Sequence, residues 1–368
     1  MIFVGGLPFS TDSSSFSSQV PTSVTSCILF DHHNFNFSNF IFHEQGIEIL
    51  VTLMKNPILE SAARSFSSIE ETKVSCSETS APNKYVYLFQ GEYATVDPSL
   101  VHYVGTDEAT TCVGLVISNR VTRMTSVAHF DSPAIVDIGL TQMLSLVVDG
   151  NPSAALDVHL IGGFDDVSPS HANVISTSES YTELAGYSTP LCVKLVETMQ
   201  KRNEKFHIQT LFVLGHNTKR DSQGNAYPIF HGFLVETSTG SLIPASFDRT
   251  SRCPDEIVRR IRVTSSYEDT SWNGKLLETY DTQTDRFVIA PCCWTSRQLR
   301  NIMMLQNPSD AEVLRLRSTS PYAEGPDFVE TLRRTWNYFA KHPDWRESFP
   351  MKQPRIFERT ADGDWKRC

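Results

Sequence analysis

Residues 46–55 (Gly-Ile-Glu-Ile-Leu-Val-Thr-Leu-Met-Lys) and 58–66 carry the spacing of two short helices, and Asn56-Pro57 separates them, because a proline disfavours helical backbone on the residue before it. A polar stretch rich in Ser, Glu and Thr follows at 67–83 and reads as a linker. The pattern then changes to that of strands. Lys84 to Gln90 and Leu100 to Gly105 are β-prone, Thr111 to Ser118 is strongly apolar, and Arg123 to Phe130 alternates.

Asp131-Ser132-Pro133 is a helix start, with a capping side chain just ahead of a first-turn proline. Ile135, Ile138, Met143, Leu146 and Val147 continue that helix to the stop at Gly150-Asn151-Pro152. Leu156 to Gly163 alternates as a strand. Ser188-Thr189-Pro190 opens another helix, with Leu191, Leu195, Val196 and Met199 on one face and Lys201-Arg202 at its end. Strands follow at 206–214, 228–236, 241–245 and 286–290, and a last helix runs from about Asp327 to Lys341 before His342-Pro343. Strands and helices mix without a regular βαβ repeat, without Gly-x-Gly-x-x-Gly and without a P-loop. The expected class is α+β in layers and not a nucleotide fold.

Residues 27–43 alternate aromatic and polar side chains from Phe35 to Phe40, which suits a strand, yet their composition departs from both flanks. We expect a disordered insertion over 13–45, an N-terminal segment over 1–83, and one catalytic domain over 84–360. His32-His33 has no Cys or His at ligand spacing nearby and reads as surface histidine.

The length of 368 residues and a hydrophobic fraction of 40% suffice for a sizeable core. A net charge of -10 leaves no electrostatic footprint for nucleic acid. No stretch approaches the roughly 18 apolar residues of a membrane span, and Met1 to Phe9 lacks the basic start and apolar length of a signal peptide. Eight scattered cysteines fit a reduced compartment better than a disulfide scaffold. These features point to the cytosol, with the nucleus as a further compartment.

Chemistry concentrates at 104–131. Cys112 and His129 lie at the ends of two runs that would pair as neighbouring strands, bringing their side chains together. A cysteine nucleophile needs a base beside it and N–H groups where an oxyanion forms; His129 offers the first, and the backbone around Thr111 and Cys112 the second. Thr106 could accept from the far imidazole nitrogen, and Asp131 competes for that role. Against this stands the fact that cysteine is among the most buried residue types and that seven other cysteines and ten other histidines could pair. Cys292-Cys293 shows no evident base. His159 shares a strand face with Asp157 and Ile161, either near the site or lining the sheet, and Gly162-Gly163 allows a close backbone approach to a strand or a substrate.

Three separated blocks carry a resemblance. Gly105-Thr106-Asp107-Glu108-Ala109-Thr110-Thr111-Cys112, the run Leu156 to Phe164, and Ser318 to Glu324, followed by Phe328-Val329-Glu330 and Lys341-His342-Pro343, resemble the protein N-terminal asparagine amidohydrolase family over roughly residues 84–360. The likeness starts again at Met1 to Leu7, and residues 13–45 fall outside it. It implies that Cys112 is the nucleophile of a reaction that hydrolyses the side-chain amide of an N-terminal asparagine to aspartate and ammonia, without metal or organic cofactor. A more distant resemblance to chemotaxis-receptor glutamine deamidases implies a layered α-β-β-α sandwich with mixed and antiparallel sheets, and matches His129 and Thr106 to that group's histidine and threonine.

For the substrate's α-ammonium the nominees are Asp107 and Glu108, beside the nucleophile in sequence, with Asp131 and Glu324 behind them and Thr111 in the pocket wall. The implied partners are proteins or peptides beginning with Asn, and downstream the arginylation machinery of the N-degron pathway. The rival readings are a deamidase of internal Gln or Asn, and a module that binds chain termini without reaction.

Overall fold

The computed structural model of the chain describes residues 2–4, 39–75, 84–151, 153–167, 186–272, 274–304 and 308–368. Its centre is strand β6 (Val113–Asn119), all of whose residues are buried, as are those of its neighbour β7 (Thr125–Phe130). Burial on both faces is why these runs read as continuously apolar instead of alternating. They belong to a seven-stranded mixed sheet in the order β1 (Ile2–Val4), β9 (Lys205–Val213), β8 (Ala155–Gly162), β6, β7, β4 (Glu92–Val96), β14 (Leu277–Glu278). Strand β6 is antiparallel to both β7 and β8, while β8 and β9 run parallel.

Leu115 and Ile117 of β6 point to one side, into a core shared with helices α1 (Asn39–Met54), α3 (Val136–Val147) and α4 (Ser188–Gln200) through Leu50, Leu140 and Leu195. Helix α2 (Pro57–Ser67) is capped by the Asn56 side chain, which accepts from the N–H groups of Ile58 and Leu59. Val116, Val127, Ile161 and Phe212 point to the other side, where they meet Val104, Phe233 and Val235.

Those three residues come from a second sheet of five strands, in the order β2 (Thr72–Val74), β13 (Ser241–Phe247), β12 (Phe233–Glu236), β5 (Tyr103–Thr106), β3 (Tyr85–Leu88). A second group of helices joins the core on this side: α5 (Glu256–Ser266), α6 (Ser296–Met304), α7 (Asp310–Arg317) and α8 (Phe328–Lys341). With them packs a four-stranded antiparallel sheet, β15 (Tyr280–Asp281), β16 (Arg286–Ile289), β17 (Arg355–Arg359), β18 (Trp365–Arg367). The fold is α+β, with helices, two β layers and further helices, as expected. Among the described residues no helix is long and apolar enough to cross a membrane.

The two sheets approach closely at Gly114. A Cβ there would lie 2.2 Å from a ring carbon of Phe233, so a glycine is what lets β6 and β12 meet.

Several boundaries differ from the sequence pattern, each for a local reason. The 67–83 linker contains β2, which pairs in parallel with Ala245–Phe247. The expected strand at 228–236 is two: β11 (Ala226–Pro228) pairs with β10 (Thr218–Arg220), then Ile229 and Phe230 give their N–H groups to the Asn217 side chain before β12 begins. The strand expected at 100–105 starts only at Tyr103, because the N–H groups of Leu100 and Val101 turn back to the Asp97 carbonyl. Helix α1 begins at Asn39, so residues 39–45 of the expected insertion are helical; its remainder, including His32 and His33, lies outside the described residues.

Candidate active site

Continuing the β6–β7 register by one residue explains how the central stretch works. Gly114 pairs with His129 and Val113 with Phe130, so Cys112 falls opposite Asp131 and diagonally across from His129. All three side chains then project from the face that looks toward the five-stranded sheet. Opposite residues on such a ladder lie within reach of one another, so the pairing that sets the sheet also assembles the site.

The second sheet supplies the next partner. Thr106 ends β5, and its Oγ1 lies 2.7 Å from His129 Nδ1 and 2.7 Å from the Leu88 carbonyl oxygen. The hydroxyl has one proton, and the carbonyl can only accept, so Thr106 donates to Leu88 and accepts from Nδ1–H of the imidazole. This assignment of the tautomer follows from the hydrogen-bond network. It leaves His129 Nε2 as a bare lone pair, buried and without a partner.

Cys112 and Asp131 line a cleft of about 510 Å³, while His129, 1% exposed, sits behind its wall. Burial, reinforced by the Asp131, Glu324 and Glu108 carboxylates, pushes the Cys112 thiol well above its usual range. Burial and the Arg260 guanidinium bring His129 down to about 3. Burial thus favours the neutral forms of both sulfur and imidazole. The arrangement suits an imidazole that takes the thiol proton only as the sulfur attacks.

The three sequence blocks converge here. Gly162 pairs with Val113 at φ +112°, and a Cβ on it would come 2.6 Å from the Cys112 carbonyl oxygen, so the glycine's close approach is to the segment that carries Cys112. From the third block, Thr319 Oγ1 bonds Thr111 Oγ1 at 2.9 Å, and Glu324 accepts from Ser318. That block forms the opposite wall of the cleft.

The nominated carboxylates separate into two kinds. Asp107 accepts from Tyr87 Oη at 2.6 Å, from the Phe247 N–H at 2.8 Å and from Arg252 at 3.1 Å. Burial and Glu108 nevertheless push its carboxyl up to about 6. Glu108, at φ +60°, is held by Arg252 at 2.7 Å and by Arg260 at 2.9 Å. Both acids are therefore engaged by arginines. Asp131 is different: its Oδ2 accepts from Gln90 Nε2 at 2.9 Å and from the Tyr267 hydroxyl, whereas its Oδ1 is buried with no partner. It does not orient His129, since Thr106 holds that place.

His159 donates or accepts at Thr210 Oγ1, 3.1 Å away, and is lowered to about 4 by burial; it lines the space between the sheets and not the cleft. Cys292 is buried, which pushes its thiol up to about 12, and Cys293 is exposed.

The family model described as protein N-terminal asparagine amidohydrolase matches residues 75–367. The chain belongs to that family. It is 55% identical over 372 residues to the protein N-terminal asparagine amidohydrolase of Arabidopsis thaliana, with 100% of each chain covered. The proteins of the same name from Mus musculus and Homo sapiens are 28% and 27% identical, covering 78% of this chain and 84% of their own lengths. This makes the chain an enzyme, a protein N-terminal asparagine amidohydrolase by family.

Sequence reasoning did not reach the arginines and neutral donors of this amidohydrolase site. Arg252, Arg259 and Arg260 lie in or just before α5, a helix the pattern did not reveal. A signal existed: two adjacent acids beside a buried cysteine require cations, and 249–262 is the densest run of arginine in the chain. Gln90 and Tyr267 left no such trace, being single polar residues at the ends of β3 and α5.

Proposed function

We propose that this enzyme hydrolyses the side-chain amide of an N-terminal asparagine through a Cys112 thioester. The observation that carries the reading is the threonine-set tautomer of His129, whose unpartnered Nε2 belongs to the same strand face as Cys112. As the sulfur attacks the side-chain carbonyl carbon, its proton passes to Nε2. N–H groups around Thr111 and Cys112 receive the oxyanion. The C–N bond then breaks, the imidazolium gives its proton to the departing nitrogen, and ammonia leaves. Water adds to the thioester, giving one proton to Nε2, and the sulfur departs with that proton. The balance is one water consumed, one ammonia and one N-terminal aspartate formed, with enzyme regenerated.

Residues of this chain perform every proton movement in that sequence, and no metal or organic cofactor is invoked. The product would feed arginylation and degradation in the N-degron pathway, placing the enzyme in the cytosol or nucleus with its protein substrates. An Asn-initiated peptide, its N-acetylated form and a peptide with internal Asn and Gln test the reading. Ammonia release and the mass shift of one amide-to-acid conversion are expected for the first alone, and not with Cys112→Ala. Ammonia release unchanged in Cys112→Ala, or equal from the acetylated peptide, would overturn it.

A further inference from the structure

Six carboxylates line the cleft: Glu71, Asp107, Glu108, Asp131, Glu324 and Asp327. Arginines neutralise the cluster at its rear, since Arg252 contacts Asp107, Glu108 and Asp327 at once. Asp131 has only neutral donors, Gln90 and Tyr267, on one oxygen. Among the described residues it is the one cleft carboxylate with a buried oxygen that has no partner. It also stands opposite Cys112 when the β6–β7 register is continued. An unsatisfied buried carboxylate oxygen is costly to maintain, and a cation that arrives with the substrate relieves that cost.

We propose that Asp131 Oδ1 receives the substrate's α-ammonium, and that this arriving cation completes the charge balance around Cys112, so that occupation by a free chain terminus itself readies the nucleophile. In an N-terminal asparagine the ammonium sits two carbons from the attacked carbonyl, so one carboxylate beside the sulfur can hold the first while the second is in reach. A capped or internal asparagine brings no cation. It leaves Asp131 uncompensated and opposes negative charge on sulfur. The same carboxylate disfavours the product, whose new side-chain carboxylate would lie close to it.

The inference rests on the reaction proposed above, and its test is separable from that reading, which fails if Cys112→Ala retains turnover or if the acetylated peptide releases ammonia equally. In Asp131→Asn the anion beside the thiol is gone and the ammonium acceptor weakened. The Asn-initiated peptide should show a KM raised by about tenfold or more, the scale of a lost charge-assisted contact. Alkylation of Cys112 by iodoacetamide at pH 7 in the free enzyme should become about tenfold faster or more, since a unit charge near the sulfur no longer opposes the thiolate. A merely structural role would slow turnover and leave alkylation unchanged or slower, and that result overturns the proposal.

If the variant does not fold, the wild-type enzyme decides. An Ala-initiated peptide amide should inhibit competitively, its N-acetyl form should not, and KM for the Asn-initiated peptide should rise as pH passes the α-amine pKa of about 7.7 to 8.0. Equal inhibition by the two peptides overturns the proposal.

Discussion

Replacing Thr106 by Val removes one oxygen, keeps the shape of the side chain, and tests the tautomer on which the chemistry depends. In the native enzyme His129 Nδ1–H is held by Thr106 Oγ1 at 2.7 Å, and the Leu88 carbonyl accepts the threonine proton at the same distance. The valine leaves Nδ1–H facing a methyl group, and a buried donor without a partner costs about 1–3 kcal/mol. Moving the proton to Nε2 exchanges one unpaired donor for another, because Nε2 has no partner either, so the preference for the base-competent tautomer is lost. The imidazolium formed as the sulfur attacks loses a bond worth about 1.5–3 kcal/mol where the neutral ring loses about 0.5–1.5, so kcat should fall by roughly 5- to 15-fold at 1.36 kcal/mol per tenfold. KM should hold, since Thr106 is buried behind the cleft and does not line it. Steady-state ammonia release measures both constants, and Thr106→Ser, which restores the oxygen, should recover most of kcat. An unchanged kcat in Thr106→Val, or a loss confined to KM, would refute the tautomer argument.

Arg252→Met should strand Asp107, while Glu108 keeps Arg260, and destabilise the fold by roughly 3–5 kcal/mol in urea titrations, because breaking a buried ion pair leaves an uncompensated charge. A carboxyl raised in the folded state costs stability above its folded pKa and less below it, and Asp107 is already at about 6, so the deficit should shrink between pH 7 and pH 5; an equal deficit at both pH values would count against the assignment. His159 is lowered from its unfolded value of 6.5 to about 4, so the unfolded chain binds the proton first and stability is lost as pH falls from 6.5 toward 4. His159→Gln should abolish roughly 2 kcal/mol of the stability difference between pH 7 and pH 4.5, and denaturation curves that lose as much in the variant as in the parent would contradict this.

The strand pair that carries the site was legible because β6 and β7 are marked by unbroken apolar runs, and Cys112 and His129 stand at their ends. Thr106 was also found, from a distant resemblance. Its physical role depends on a contact between two different sheets, which no local pattern encodes. Strand β4 escaped because it opens with Glu92, a charge buried at 0% exposure that the equally buried Arg259, 2.5 Å away, and the Phe89 N–H make tolerable. The partners of the carboxylates were hidden for the same reason. Asp107 and Glu108 are nearest the cysteine in sequence, but the arginines that engage them come from a helix far along the chain, whereas Asp131 reaches the cleft through strand register.

The wall built by Ser318 to Glu324 and α8 has a consequence for the enzyme's synthesis. The segment that carries Cys112 emerges early, while the residues that close the cleft opposite it are made much later. Contacts of such long sequence separation form only once the distant segment is available. While the chain is still being made, the cleft beside Cys112 lacks the part of its lining that residues 317–335 supply. A polypeptide that stops short of the C-terminal helices therefore lacks the wall that faces Cys112 across the cleft.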